Sequence, residues 1–172
     1  MRIIISPYSV KLRSGKRNPK DYPYWRELVR LLNVWNHILQ IGIEGEEKIE
    51  GTPTFQLLGR TFKELEDLVA GADTWISVDN FFPHFINATS GKPGIVLYSQ
   101  SDPLIFGYPY NRNLLQSRGC LRQFQFDSWE AAEYNAEAFV SPDTVVEEFD
   151  AWIHGAGRVA AVDVARRSAA PA

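Results

Sequence analysis

The sequence has very little cysteine and no long hydrophobic run. Cys120 is its only cysteine, which excludes an internal disulfide and any zinc site built from several thiolates. No apolar stretch approaches the roughly 20 residues that a membrane-spanning helix requires. The run Ile3–Ile5 near the start is too short for a signal peptide. These absences predict a protein of the reducing cytoplasm that has no membrane span.

The sequence also lacks an excess of positive charge. It has 18 Lys and Arg against 21 Asp and Glu, a net charge of −3, so no nucleic-acid partner is expected. The basic residues are nevertheless concentrated: residues 1–30 contain eight of them against two acidic residues, and five lie between Lys11 and Lys20. A local basic loop on an acidic protein indicates a small anionic ligand or, alternatively, a solvated surface loop.

Several nucleotide-binding and hydrolase motifs are missing as well. The chain has no Gly-x-Gly-x-x-Gly fingerprint, no P-loop and no Gly-x-Ser-x-Gly elbow, so the usual dinucleotide, ATP and serine-hydrolase sites have no support. The three histidines, His37, His84 and His154, show no spacing typical of metal ligands. Neither a metal nor a cofactor is therefore expected.

What is present is an alternation of strand-like and helix-like segments. Strands are predicted at Arg2–Ser6, His37–Ile41, Phe55–Leu58, Trp75–Val78 and Ile95–Tyr98. Helices are predicted at Tyr24–Leu32, Glu44–Glu50, Thr61–Ala70, Phe82–Ser90, Ser128–Phe139 and Pro142–His154. This alternation indicates βαβ units. We expect an α/β fold over residues 1–154, a Rossmann-like open parallel sheet with helices on both faces, and a flexible tail over residues 155–172.

Ligands of such sheets bind at the carboxyl ends of the strands, so the loops that follow the strands carry the candidate residues. The turn after the fourth predicted strand contains Asp79, Asn80 and His84 and opens a helix, whose N-terminus favours phosphate. Asp79 and Asn80 are expected to hold this turn, and His84 to donate to a diphosphate. The alternatives are an N-cap or Asx-turn role for Asp79 and a structural role for His84.

Two earlier loops place charge at the same edge of the sheet. Lys16 and Arg17, after the first strand, are candidates for neutralising phosphate charge. Glu44, Glu46 and Glu47 follow the second strand, where a carboxylate can accept hydrogen bonds from ribose hydroxyls. The alternative for the three glutamates is a solvated acidic turn.

The segment Ser99–Asn113 is predicted to be a long loop rich in aromatic and turn-forming residues. Asp102 and the aromatic side chains of this loop, Tyr108 among them, are candidates for a sugar contact or for a protein interface. Trp129 and Trp152 are expected in the core formed by the two closing helices.

The order of these motifs resembles that of one known family. The segments that carry the resemblance are Ile3–Ser9, Lys16–Trp25, Ile41–Glu47, Leu58–Leu65, Ser77–His84 and Gly91–Pro103. Their most specific elements are Asp-x-x-x-x-His over residues 79–84, Gly-Lys-Pro over residues 91–93 and Ser-Asp-Pro over residues 101–103. Together they resemble the C-terminal, donor-binding half of the heptosyltransferase-like glycosyltransferases (glycosyltransferase family 9), roughly over residues 2–110.

The resemblance implies a domain equivalent to one half of a GT-B fold that binds a nucleotide-diphosphate sugar as its donor substrate. Carried over by position, it implies that Lys16 contacts a phosphate and that Glu46 lies near the nucleoside. It also implies that Asp79, Asn80 and His84 surround the diphosphate and the sugar.

Two functions follow. The first is a glycosyltransferase, or its donor-binding subunit, that works without a metal, with the acceptor domain missing from this chain and supplied by a partner chain or a homodimer. The second is a non-catalytic binding module that keeps the half-fold. In that second case Phe82 and Phe81, which stands where the family has a glycine, would fill the donor pocket.

Overall fold

The computed structural model of the chain describes residues 1–52, 57–58 and 61–154. Its strands are β1 (Arg2–Ser6), β2 (His37–Gly42), β3 (Leu57–Leu58), β4 (Thr74–Val78), β5 (Ile95–Tyr98) and β6 (Arg112–Leu115). Its α-helices are α1 (Trp25–Leu32), α2 (Phe62–Ala70), α3 (Phe81–Ala88), α4 (Pro103–Phe106) and α5 (Pro142–His154). Within these ranges no helix is long and apolar enough to cross a membrane. The predicted tail and residues 55 and 56 of the predicted third strand lie outside the described residues.

The strands form an open sheet in which all neighbours are parallel, in the order β3-β2-β1-β4-β5-β6. The two-residue β3 only extends one edge of the other five. In the middle of the sheet, Ile4 of β1 pairs with Leu39 of β2 on one side and with Trp75 of β4 on the other. The strand order reverses between β1 and β4, which is where doubly wound sheets bind their ligands. The predicted α/β class and parallel sheet are confirmed.

Helices cover both faces of the sheet. Ile3 and Ile5 of β1 belong to one hydrophobic core together with side chains of α1 and α5. Ile4 points the other way and belongs to a second core together with side chains of α2 and α3. A strand that is covered on both sides needs apolar residues at every position, which explains the uninterrupted isoleucine run of β1. All three isoleucines are completely buried.

Two local predictions about the helices are confirmed. Thr61 caps α2: its side chain accepts the Glu64 N–H at 3.3 Å, and the Glu64 carboxylate accepts the Thr61 N–H at 2.9 Å. This reciprocal pair satisfies two of the N–H groups that a helix start leaves without partners. On α1, the predicted apolar stripe is buried; it consists of Trp25, Leu28, Val29 and Leu32.

The short helix predicted over Glu44–Glu50 is wrong. The segment forms turns and irregular backbone instead. Gly45 interrupts it with a φ of +85°, a backbone conformation that a right-handed helix does not contain. The buried side chain of Gln40 binds the backbone here instead: its Nε2 donates to the Glu47 carbonyl and its Oε1 accepts the Ile49 N–H, both at 2.8 Å. A side chain of β2 therefore supplies hydrogen bonds that a helix would have supplied from its own backbone.

The helix predicted over Ser128–Phe139 is also wrong. The chain forms two single 3₁₀ turns there, over Trp129–Ala131 and Ala136–Ala138. The side chains of Ser128 and Asn135 each accept an N–H two residues ahead, which is the local hydrogen bonding with which Ser and Asn compete against helix.

The segment Ser99–Asn113 is more ordered than the predicted loop. It contains the short helix α4, and its last two residues begin β6, which pairs with β5 at the sheet edge. The sequence of β6, Arg-Asn-Leu-Leu, shows neither an alternating nor a continuous apolar pattern. Its strand conformation depends on the neighbouring β5.

Candidate functional site

A cavity of about 710 Å³ opens at the carboxyl ends of β1, β2 and β4. This volume falls within the range of about 300–1,000 Å³ that is usual for small-molecule sites. The ionisable and amide side chains that line it are Tyr8, Asn18, Lys20, Glu46, Asp79, Asn80 and His84. The larger apolar side chains that line it are Ile41, Ile43, Phe62, Leu65, Phe81, Phe106 and Trp129.

Two of the lining residues, Lys20 and Asp79, form an ion pair. Lys20 Nζ lies 2.7 Å from Asp79 Oδ2, and Asp79 is only 3 % exposed. The ammonium group also lies 4.6 Å from the ring centre of Trp129 and 5.9 Å from that of Phe106. Cations are attracted to the faces of aromatic rings, so the two rings hold Lys20 in place beside the carboxylate.

The backbone around Lys20 is fixed by hydrogen bonds of its neighbours. Asn18 Nδ2 donates to the Val10 carbonyl at 2.8 Å, and Asn18 Oδ1 accepts the Lys20 N–H at 2.9 Å. Ser99, at the end of β5, donates to the Pro19 carbonyl at 2.7 Å. These bonds place Lys20, rather than the predicted Lys16, at the cavity.

Lys16 does not line the cavity. Its side chain is exposed and lies in the stretch of the first loop between Leu12 and Asn18. Five basic residues follow one another in this loop, and nothing in their spacing shows which of them the fold directs inward. The contacts of Asn18 that direct Lys20 inward are tertiary, so the sequence alone did not single out Lys20.

Asn80 uses its whole side-chain amide inside the protein. Its Oδ1 accepts the Phe82 N–H at 2.8 Å, which makes Asn80 the N-cap of α3. Its Nδ2 donates to Ser6 Oγ and to the Tyr8 carbonyl, both at 2.9 Å. The amide therefore ties the end of β1 to the start of α3, and the N-cap role that was an alternative for Asp79 belongs to Asn80.

The N-terminus of α3 offers a ligand fewer donors than the sequence suggested. Of the first three helical residues, Phe82 gives its N–H to the cap and Pro83 has none, so the N–H of Phe81 is the one left over. Positive charge at this end of the cavity therefore comes from Lys20 more than from helix amides.

His84, one turn into α3, lines the cavity and contacts Tyr108. Its Nδ1 lies 2.9 Å from the Tyr108 hydroxyl, and the two rings meet edge to face with centres 5.7 Å apart. Tyr108 itself does not line the cavity. The segment after β5 thus meets the site in two ways, directly through Phe106 and indirectly through the contact of Tyr108 with His84.

Glu46 reaches the cavity from the loop after β2, whereas Glu44 and Glu47 are exposed and do not line it. Its carboxylate accepts the Ile43 N–H at 3.0 Å. Burial raises the pKa of Glu46, and the nearby Asp21 carboxylate raises it too, against the opposing hydrogen bond from Ile43. Burial likewise raises the pKa of Tyr8, on the same wall, to about 12.

Phe81 and Phe82 have different surroundings. Phe82 is completely buried and packs edge to face against Trp75, with ring centres 5.6 Å apart. Phe81 is 52 % exposed and forms part of the cavity wall with Phe62, their ring centres lying 6.3 Å apart. A cavity of ligand size remains beside these rings.

Asp102 lies away from the cavity. It caps α4 by accepting the Leu104 N–H at 2.9 Å and forms an ion pair with Arg118 at 2.8 Å. The hydrogen bond from Arg118 lowers the pKa of Asp102 below its usual value. In the described parts of the chain, no three His, Cys, Asp or Glu side chains form a group that could hold a metal ion.

Trp129 was expected in the core and lines the cavity instead. The guanidinium of Arg122 lies 3.8 Å from its ring centre, in addition to the contact with Lys20. The neighbouring Glu130 carboxylate accepts the backbone N–H of Arg13, which attaches this turn to the first loop. Trp152, on α5, does pack against the core that α1 and α5 share. Sequence reasoning missed Trp129 because it assigned the segment to a helix.

The profile of glycosyltransferase family 9 (heptosyltransferase) matches residues 4–130 of the 172. The matched stretch runs from β1 to the 3₁₀ turn at Trp129 and includes every residue that lines the cavity. No curated protein and no solved structure gives a significant match to the chain.

Proposed function

The chain belongs to glycosyltransferase family 9, which implies glycosyl transfer, and we propose that it binds a nucleotide-diphosphate sugar in the cavity at the ends of β1, β2 and β4. The observation that carries this proposal is Lys20, a cation at the strand ends of a parallel sheet, inside a cavity of suitable size. Phosphate is the common anionic group of small ligands that such an edge binds.

We infer the direction of the bound donor from the order of the strands. Along the sheet edge the loops follow as β2, β1, β4 and β5. Glu46 lies at the β2 end, Lys20 belongs to the loop after β1, and Phe106 belongs to the loop after β5. We place the nucleoside towards Glu46, the diphosphate at Lys20, and the sugar towards Phe106 and Trp129.

Lys20 has hydrogen-bonding capacity left for a diphosphate. Its ammonium carries three N–H donors, more than the single ion pair with Asp79 requires. The ammonium can therefore donate to phosphate oxygens in addition to pairing with Asp79. In this arrangement Asp79 orients Lys20, and the diphosphate lies on the side of the ammonium that faces away from the carboxylate, since the two anions repel.

The chemistry of transfer follows from this placement. An acceptor hydroxyl attacks the anomeric carbon, the bond from that carbon to the phosphate oxygen breaks, and negative charge develops on the departing nucleoside diphosphate. Lys20 and His84 would stabilise that charge without a metal ion. The acceptor and the base that takes its proton would come from a second domain or chain that closes over the cavity.

A non-catalytic binding module is the second candidate. The observation that favours it is the first turn of α3, where the cap on Phe82 and the proline at residue 83 leave little backbone for a phosphate. This function predicts that the folded protein has no affinity for nucleoside diphosphates.

Calorimetric titration with a panel of nucleoside diphosphates, their sugar conjugates and inorganic pyrophosphate tests the proposal. The matched pair of variants is Lys20→Met and Lys16→Met, which remove the same charge from the same loop. Lys20→Met should weaken the binding of nucleoside diphosphates by roughly 10- to 150-fold, which corresponds to the loss of a charge-assisted contact of about 1.5–3 kcal/mol. The exposed Lys16→Met should change affinity less than about twofold.

Because Lys20→Met leaves a buried carboxylate without its partner, the double variant Lys20→Met/Asp79→Asn supplies a folded reference. Equal losses in the Lys16 and Lys20 variants would contradict this placement of the diphosphate. A folded wild type that binds none of the panel would favour the binding module.

A further inference from the structure

The imidazole of His84 is held between the cavity and the loop after β5. On the loop side, its Nδ1 lies 2.9 Å from the Tyr108 hydroxyl, and the ring planes meet at 74°. This contact occupies one ring nitrogen and leaves Nε2 as the nitrogen that a ligand can use. The partner of Nδ1 therefore decides what Nε2 can do.

Tyr108 is fixed by its surroundings. Its backbone carbonyl accepts the Asn111 N–H at 3.0 Å and the side-chain Nδ2 of Asn113 at 2.9 Å. Its ring stacks on Tyr110 with centres 5.8 Å apart. The Tyr110 hydroxyl in turn donates to Asn87, one turn after His84 on the same helix. The stacked pair of Tyr108 and Tyr110 thus contacts α3 at two points, His84 and Asn87.

A tyrosine hydroxyl at Nδ1 has a specific consequence for the proton of the imidazole. Neutral imidazole has one N–H donor and one acceptor nitrogen. A carboxylate partner, which only accepts, would hold the proton on Nδ1 and leave Nε2 as a base. A phenol hydroxyl is a stronger hydrogen-bond donor than acceptor, so beside the neutral ring it favours donating to a bare Nδ1, and it can reorient to accept when the ring is charged. In both charge states Nε2 then keeps its proton.

We propose that Tyr108 is a positioning residue that keeps neutral His84 in the Nε2–H tautomer, so that His84 is a hydrogen-bond donor to the diphosphate and not a base. The identity of the ligand rests on the proposed function above, whereas the tautomer is a property of the protein alone. The two parts are therefore tested separately.

The tautomer is read from long-range ¹H–¹⁵N correlation spectra of the ligand-free protein at a pH at which the same spectra show His84 to be neutral. The chain has only three histidines, so His84→Gln identifies the signals. We expect the Nε2–H tautomer in the wild type and an altered Nδ1 resonance in Tyr108→Phe. The control variant Tyr24→Phe removes a tyrosine hydroxyl beside the core that contains Ile3 and Ile5, and it should leave the His84 signals unchanged. An Nδ1–H tautomer in the wild type, or no change in Tyr108→Phe, would overturn the inference.

Nucleoside diphosphate affinity tests the ligand part. Tyr108→Phe should weaken binding by about two- to tenfold, the equivalent of one neutral hydrogen bond. In a His84→Ala background the same substitution should have no further effect, because Tyr108 acts through the imidazole. An equal loss in both backgrounds means a general structural role and overturns the proposal. If the wild type binds no nucleoside diphosphate, the ligand part and the proposed function fail together, while the spectra still decide the tautomer.

Discussion

Asn80 Nδ2 donates a hydrogen bond to Ser6 Oγ at 2.9 Å, which joins the carboxyl ends of the two central strands, β1 and β4. The same amide caps α3. One side chain therefore sets the positions of the first cavity loop and of the helix that carries His84. This relationship makes Asn80 a structural determinant of the site even though its amide is fully used within the protein.

Asn80→Ala should lower the free energy of unfolding by about 2–4 kcal/mol. The loss combines an N-cap worth roughly 0.5–2 kcal/mol with partly buried hydrogen bonds worth about 1 kcal/mol each. Urea denaturation followed by circular dichroism measures it. Asn135→Ala removes the cap of an exposed 3₁₀ turn and should cost less than about 1 kcal/mol. Equal losses at the two positions would show that the hydrogen bonds from Asn80 to the end of β1 add nothing to the free energy of unfolding.

Gln40→Leu should lower the free energy of unfolding by about 2–3 kcal/mol. Leucine fills similar space but leaves the Glu47 carbonyl and the buried Ile49 N–H without the partners that Gln40 provides. Since Glu46 lies in this segment, the variant should also weaken nucleoside binding. Thermal and urea unfolding give the stability, with the exposed Gln123→Leu as the control. A stability equal to that of the control would mean that the segment orders itself without Gln40.

Gly94→Ala should prevent folding or lower the free energy of unfolding by more than about 3 kcal/mol. An added Cβ would lie 2.2 Å from the Trp75 indole and 2.7 Å from the Trp75 carbonyl oxygen, where backbone cannot move aside. Gly91, in the same loop, has a φ of +60° and no neighbour within 4 Å of an added Cβ. Gly91→Ala should therefore cost only about 1 kcal/mol of conformational strain. Denaturation curves of the two variants measured side by side make the comparison.

Asp102 should make the protein more sensitive to acid. The Arg118 hydrogen bond lowers the pKa of this carboxyl in the folded state. Such a group contributes stability above its unfolded pKa, near 4, and the contribution is lost as the pH falls through the lower folded value. Asp102→Asn keeps an oxygen for capping α4 but removes the charge, so its stability should fall less between about pH 5 and 3. Glu133→Gln, at an exposed site, serves as the control, and parallel wild-type and Asp102→Asn curves would contradict the expectation.

Local pattern determined much of the fold. The apolar runs of β1, β4 and β5, the stripe on α1 and the capping box of α2 are signals contained within a few consecutive residues, and each produced the element that the sequence predicted. The alternation of those elements was enough for the parallel α/β class, because short connections leave few other topologies. Asp79 and Glu46 reach one cavity because parallel strands all end at the same edge of the sheet.

Tertiary structure decided the rest. Among the five basic residues of the first loop, the contacts of Asn18 and Ser99 direct Lys20 to Asp79. In the segment Glu44–Glu50, where a helix was expected, Gly45 has a φ of +85° and the side chain of Gln40 accepts the Ile49 N–H. In these cases the partner of a polar group is distant in the sequence or outside the periodic pattern. Periodicity reports which side of an element is apolar, but it carries no information on which particular polar atom the folded chain brings within 3 Å of another.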